Sequence, residues 1–381
     1  MIKKLYLVSP GPVPIPEDAL VEAAKPIIHH RTEIFSDIFM EVAEGMKYIF
    51  QTKQDVFIFA SSGTGAMEAA VANLLSPGDE VITINGGKFG ERWGEIARAW
   101  GLNVHEIVLE WGEPYTGDQL YEELKAHPNV KAVFATLSET SSGSVYDIKS
   151  FAEATAKTDA VLVVDAISGL GATPCPMDEW GVDVIVAGSQ KALMIPPGLA
   201  YIALSEKAWN LVENSKFPKY YFDLKAYKKS LGKKTTPYTP AISLIIQQKK
   251  TIDFIKKMGL ETIFEHHRIL ADATRAAVQA LGLELLSKIP GNIATAVKVP
   301  EGVDGIALVK TVQKKYGVYI AGGQSSYKGK IFRIAHLGYM SAFDIITAIS
   351  AVEMALAEQG YKFDMGAGVK AAMEIFRREW K

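Results

Sequence analysis

Two charged side chains at the ends of apolar runs are the first candidates for chemistry. Val182-Asp183-Val184-Ile185-Val186-Ala187 is rich in β-branched residues and reads as a buried strand. It gives way to Gly188-Ser189-Gln190 and then to Lys191. Pro196-Pro197-Gly198 and a second apolar run, Leu199 to Leu204, follow. A lysine just past a buried strand lies where open α/β sheets collect their ligands. In an apolar pocket its ammonium is costly, so its pKa falls and the free amine becomes a nucleophile for a carbonyl. Upstream, the run Ala160 to Val164 stops at Asp165. Taken singly, Lys191 reads as a surface loop residue and Asp165 as a turn or helix cap. Taken together, they offer an amine and a carboxylate at the ends of neighbouring strands.

An aspartate against a pyridinium nitrogen, with a lysine that forms a Schiff base, is how proteins hold pyridoxal 5'-phosphate (PLP). Val163-Val164-Asp165-Ala166, Ser189-Gln190-Lys191-Ala192 and Pro196-Pro197-Gly198 resemble the class V aminotransferases of PLP fold type I. Within them the chain is similar to the alanine:glyoxylate and serine:glyoxylate (serine:pyruvate) group. The likeness runs from Ser9-Pro10-Gly11-Pro12 to the region of Arg333. It implies that Lys191 forms the Schiff base, that Asp165 keeps the ring nitrogen protonated, and that Gln190 belongs to the cofactor site. It also implies that Ser62, Gly63 and Thr64 cradle the cofactor phosphate, that Phe89 covers the ring where the family often has Trp, and that Thr140 offers a hydroxyl. Thr236 matches a loop that reaches the neighbouring subunit's phosphate, with Thr235 and Tyr238 as weaker choices. Arg333 matches the grip on the substrate α-carboxylate, and the arm around Gly11 matches the wall of the substrate side.

The elements that must position these residues can be read independently. Ser61-Ser62-Gly63-Thr64-Gly65 lies between a strand, Asp55 to Ala60, and a helix, Ala66 to Leu75. Strand, small-residue turn and helix together make an anion cradle. A dinucleotide fingerprint fails at Glu68, where close helix packing needs Gly or Ala, and no Gly-Lys-Ser/Thr makes a P-loop. Asn85-Gly86-Gly87-Lys88-Phe89-Gly90 is a second glycine-rich loop before a helix, and Thr136 to Gly143 is a polar loop after a strand. Strands alternate with helices, so the spacing predicts an α/β chain with a mostly parallel sheet covered on both faces. The resemblance makes it seven-stranded, with Leu199 to Leu204 running antiparallel.

Lys225 to Lys234 reads as a basic, loop-like surface run. A long helix, Leu260 to Leu281, leads to a smaller α+β part with strands Ile293 to Val299 and Ile331 to Ala335. His266 and His267 are expected on the polar side of that helix, and Ala321-Gly322-Gly323-Gln324 reads as a flexible turn. Arg333 inside an apolar strand needs a partner, and a carboxylate held bidentately is the natural one. The expected division is an arm at 1–20, a large PLP-binding domain at 21–260 and a small C-terminal domain at 261–381.

Composition bounds the function. The 381 residues carry 41 basic and 43 acidic side chains, a net charge of −2, which gives no electrostatic case for nucleic acid or an anionic membrane. One cysteine, Cys175, excludes an internal disulfide framework and a cysteine-built zinc cluster. Adjacent His29 and His30 lack helical ligand spacing, so they predict no metal site. No long apolar segment reads as a secretory signal or a membrane span, which points to a cytoplasmic protein. The expected activity is ping-pong transamination from a small amino acid such as alanine or serine to glyoxylate or pyruvate, in a homodimer with shared sites. Two other PLP activities compete, an aspartate-type transaminase and a cysteine desulfurase-like lyase. A non-catalytic nucleotide-binding protein built on the Gly63 turn is the alternative of a different class.

Overall fold

The computed structural model describes residues 3–379; the outer ends of the expected arm and C-terminal region, 1–2 and 380–381, lie outside them. Its centre is a seven-stranded sheet. The order across it is Val56–Ala60, Leu199–Leu204, Val184–Gly188, Val161–Asp165, Ala132–Thr136, Glu80–Asn85 and Asn103–Val108. Leu199–Leu204 runs antiparallel to both of its neighbours, and the remaining pairs are parallel. The four strands Leu199–Leu204, Val184–Gly188, Val161–Asp165 and Ala132–Thr136 are buried along their whole length. That is why their sequences are continuously apolar rather than alternating: helices cover both faces.

The helix Lys88–Ala99 shows how such a layer aims a side chain. Trp93, fully buried, stacks on Phe134 of the Ala132–Thr136 strand with ring centroids 4.6 Å apart. This anchor fixes the helix on the sheet and so fixes Phe89, one turn earlier, beyond the strand ends.

A second, three-stranded antiparallel sheet has the order Ala294–Lys298, Ile331–Ala335, Ala321–Gly322. The helix Leu260–Ala280 joins two hydrophobic cores. Ile263 and Phe264 pack into the core around the large sheet, and Leu270, Ala273 and Ala277 into the core around the second. The N-terminal segment belongs to the second core as well. Tyr6–Leu7 pairs in parallel with Val318–Tyr319, and Val8 and Val13 are buried there.

Three expectations are corrected. Part of the basic run at 225–234 is helical, within Leu224–Leu231: Asp223 caps it, Leu224, Tyr227 and Leu231 are buried at helical spacing, and Lys228 lies over the Trp209 ring. The intervening lysines hide that stripe in the sequence. Ala321–Gly322 is a strand rather than a flexible turn, because it supplies the third member of the small sheet. His267 is buried rather than solvated; its Nδ1 meets the Ile263 carbonyl and its Nε2 accepts from the Gly338 N–H at 3.0 Å. Burial drives its imidazole down to a pKa of about 4, which keeps it neutral.

Two short strands, Ser138–Glu139 and Ser144–Val145, form a hairpin that docks against the second sheet. Gly143, at φ +75°, accepts from the Gly291 N–H at 2.9 Å. A Cβ there would lie 2.9 Å from the Ala296 nitrogen and 3.0 Å from the Ala294 oxygen. Gly143→Ala is therefore expected to lower stability by about 1–3 kcal/mol, read from the urea midpoint. An unchanged midpoint would contradict this docking role.

Candidate active site

The parallel strands deliver the predicted residues to one edge of the sheet. Asp165 ends its strand, and Lys191 lies in the turn after Val184–Gly188. Ser62, Phe89 and Thr140 follow the C-terminal ends of Val56–Ala60, Glu80–Asn85 and Ala132–Thr136. Ligands of open α/β sheets bind outside such strand ends.

Lys191 is half-buried, and its Nζ donates to the Pro10 carbonyl at 2.5 Å. Gly11, at φ +138°, lies so close that a Cβ there would be 2.6 Å from that Nζ. The arm is therefore pressed against the amine, and only glycine permits the approach. Burial pushes the Lys191 pKa down to about 8; Asp165 opposes the fall, and Arg333 and Arg92 assist it. Asp165 is buried and accepts from the Ile167 N–H at 2.8 Å. Its burial, with a smaller push from Glu139, raises its pKa to about 7, against the pull of the Ile167 N–H, Arg92 and Lys191.

The Phe89 ring centroid is 6.0 Å from Lys191 Nζ and 5.1 Å from Arg92 Cζ. Arg92 donates to the Thr64 hydroxyl at 3.2 Å. Ser62 is the N-cap of the helix Gly63–Leu74, yet its side chain makes no cap bond, and the Gly63 backbone packs against Ile167. Arg333 is buried without an ion pair among the described residues. Its guanidinium donates to the carbonyls of Gly322 and Thr140 at 2.8–3.1 Å, and burial draws its pKa down to about 10. The hairpin thus ties the guanidinium to the large sheet. Thr236 stands beside Ala60 and Leu199 and donates to the Tyr238 carbonyl at 2.6 Å. It makes no hydrogen bond to the Lys191 group among the described residues.

Two participants escaped the sequence reading. Arg92 adds a second guanidinium, although no second cationic clamp was evident in the sequence; its helical spacing from Phe89 was the available signal. Glu139 is fully buried. It accepts from the N–H groups of Phe89 (3.0 Å), Gly90 (2.9 Å) and Ser141 (3.1 Å), and from the Ser141 hydroxyl at 2.5 Å. Its carboxylate caps the helix that carries Phe89, and burial raises its pKa. A Glu within a Ser/Thr-rich loop gives no sign of that in sequence.

The donor set fits PLP. The Thr140 hydroxyl and the Gln190 side-chain oxygen are buried without a hydrogen-bond partner, which is costly unless a polar ligand completes them. Gln190 directly precedes Lys191, and a Cβ on Gly188 would lie 3.5 Å from its side-chain oxygen and 3.7 Å from the Gly63 Cα, while the Thr140 carbonyl accepts from Arg333. Cys175 does not fit the catalytic cysteine of a cysteine desulfurase-like lyase: it is buried, and burial raises its thiol pKa to about 12.

Fold and site together define a PLP enzyme of fold type I, with aminotransferases as its structural neighbours. The class-V aminotransferase family model matches residues 19–342, and the chain belongs to that family. It is 43% identical over 99% of its length to the "Soluble hydrogenase 42 kDa subunit" of Anabaena cylindrica, all of which is covered. It is 37% identical to the "L-aspartate--glyoxylate aminotransferase" of Paracoccus denitrificans, covering 97% of this chain and 95% of that one. Among solved structures, ureidoglycine-glyoxylate aminotransferase of Bacillus subtilis superposes with a TM-score of 0.94 at 28% identity, covering 99% of both chains.

The raised Asp165 pKa has a signed consequence. Between about pH 4 and 7 the folded, cofactor-free protein binds a proton at Asp165 that the unfolded chain has released, so this residue lowers stability as pH rises through that window. Asp165→Asn should gain on the unaltered protein by up to about 4 kcal/mol from pH 4 to pH 8, measured by urea unfolding. A difference independent of pH would count against a shifted carboxyl.

Proposed function

We propose that this enzyme transfers the amino group of a small amino acid to glyoxylate or pyruvate, with PLP held by Lys191. The observation that carries the reading is a half-buried amine of lowered pKa beside a buried carboxylate, under an aromatic ring and next to buried polar atoms without partners. When bound, the cofactor supplies an electron sink for the Cα carbanion.

The chain's own residues would do the rest. Lys191 would hold the cofactor aldehyde, and its amine, once freed, would carry the substrate Cα proton as general base and then general acid. In the cofactor-free chain burial already brings this amine down to about 8, toward the neutral range that general acid–base work needs. Asp165 would keep the ring nitrogen protonated. Phe89 provides the stacking face, and Glu139 fixes it through the helix N-terminus. Ser62, Gly63 and Thr64 take the phosphate on backbone N–H groups and hydroxyls. Arg92 joins them, because its hydrogen bond to Thr64 turns it toward the phosphate end. Thr140 and Gln190 complete the cofactor's polar contacts, and Thr236 completes the phosphate site of a second subunit in a homodimer. Arg333 is left to hold the α-carboxylate, with the Gly11 arm closing the amine side. One guanidinium that lacks a carboxylate partner, set against one α-carboxylate, selects small, monocarboxylic donors such as alanine and serine. The glyoxylate acceptor is shared with the two aminotransferases compared above.

The large-sheet unit at 21–260, the small unit at 261–381 and the arm at 1–20 serve this chemistry as separate parts in our reading, and the protein acts in the cytoplasm. Among the described residues no helix is long and apolar enough to cross a membrane. The hydrogenase name of the cyanobacterial relative does not carry over, since iron–sulfur clusters are held by several thiolates and this chain has one cysteine.

A donor–acceptor screen with PLP tests the reading. Alanine and serine should outperform aspartate with glyoxylate, and borohydride should fix the cofactor to Lys191. Preference for aspartate would move Arg92 to the substrate, and alanine with sulfide from cysteine would indicate a lyase. Arg333→Lys should raise KM for the amino donor about tenfold or more by removing the bidentate grip, with a smaller effect on kcat.

A further inference from the structure

The free edge of the large sheet gathers a separate set of nitrogen and oxygen donors. Asn103–Val108 is the last strand, paired on one side only, and it is partly or fully exposed along its length. In the parallel register Glu80 lies opposite Asn103, and His105 opposite Ile82. Glu80 and His105 are thus diagonal neighbours on one face, with His105 Nε2 and Glu80 Oε2 3.0 Å apart. His127 arrives from the C-cap of the helix Gly117–Ala126. Its imidazole stacks on that of His105, with centroids 3.9 Å apart and planes at 28°. One donor atom from each of the three residues lies within 4.8 Å of the others. Glu123, a turn before His127, places a carboxylate oxygen 3.9 Å from His127 Nε2.

Three donors from three separate elements converge here, and all three side chains are partly exposed. A hydrated ion can therefore reach them. Two imidazoles and one carboxylate suit zinc, nickel, cobalt or copper ions, whereas magnesium and calcium prefer oxygen alone. Ligand atoms around a tetrahedral zinc stand roughly 3.3 Å apart, given metal–ligand bonds of about 2.0–2.1 Å. Small rotations of exposed side chains close the present gap.

We propose that Glu80, His105 and His127 form a site for one zinc-class divalent ion, with water or Glu123 in the remaining position. The ion clips the edge strand to its one neighbour and to the end of the adjacent helix. Exposed sheet edges template unwanted pairing, and a metal crosslink restrains this one. Glu80 begins the strand whose far end leads to the Phe89 loop. The site is thus remote from Lys191, and the proposal stands apart from the transaminase reading.

The test uses the PLP-loaded protein. Zinc is titrated by calorimetry and cobalt by visible absorption, into the unaltered protein, the H105A/H127A double variant and Glu80→Gln. The expected result is one ion per chain that the double variant lacks, held about tenfold or more weakly by Glu80→Gln. Cobalt should give a d–d band that disappears in the double variant. Zinc should raise the melting temperature most in the unaltered protein, less in Glu80→Gln and not in the double variant, while all three retain the same transaminase rate in metal-free buffer. Equal stoichiometry and affinity in the double variant, or no ion taken up by the unaltered protein, would overturn the site. The rate in metal-free buffer confirms that each variant is folded.

Discussion

The structure depends on keeping an amine and a carboxylate out of water at the ends of adjoining strands. Lys191 and Asp165 are both costly there. Burial lowers one pKa to about 8 and raises the other to about 7, so the two meet near neutrality. Isolated from each other in water, their pKa values would lie about 6.5 apart. The sheet enforces the arrangement: Asp165 lies in register with Val186, and Lys191 follows in the turn after that strand. Fully buried strands hold this register because slippage would disturb packing on both faces.

Much of the remaining chain serves to keep that edge shut. The N-terminal segment is anchored by pairing to Val318–Tyr319, and from there the Pro10 carbonyl reaches Lys191. The hairpin around Glu139 does two things. Its carboxylate grips the helix that bears Phe89, and the next carbonyl, that of Thr140, receives the Arg333 guanidinium. One short loop therefore couples the ring platform to the buried guanidinium on the second sheet. Gly338, whose N–H is held by neutral His267, packs against the Lys191 backbone from the other side.

The sequence was legible wherever burial was complete. Runs such as Val161–Asp165 and Val184–Gly188 have no polar face, so their β-branched character identifies them, and their ends point to Asp165 and Lys191. The antiparallel Leu199–Leu204 and the covered parallel sheet agree with expectation. Legibility failed where a structural role depends on partners distant in the chain. Glu139 is an ordinary acidic loop residue until Gly90 lies against it, and Arg92 is an ordinary helical arginine until Thr64 does. The Leu224–Leu231 helix was masked by its lysines, and His267 looked polar until Gly338 supplied a donor.

The most direct test of this account is the titration of the Lys191 amine itself in the cofactor-free protein. Its rate of reductive methylation can be followed against pH by peptide mass spectrometry, with surface lysines as internal references. A midpoint near pH 8, rising when Arg333 and Arg92 are neutralised, is the predicted result. A midpoint at the ordinary lysine value, near 10.5, would mean that the strand ends do not desolvate the amine, and the account would be wrong.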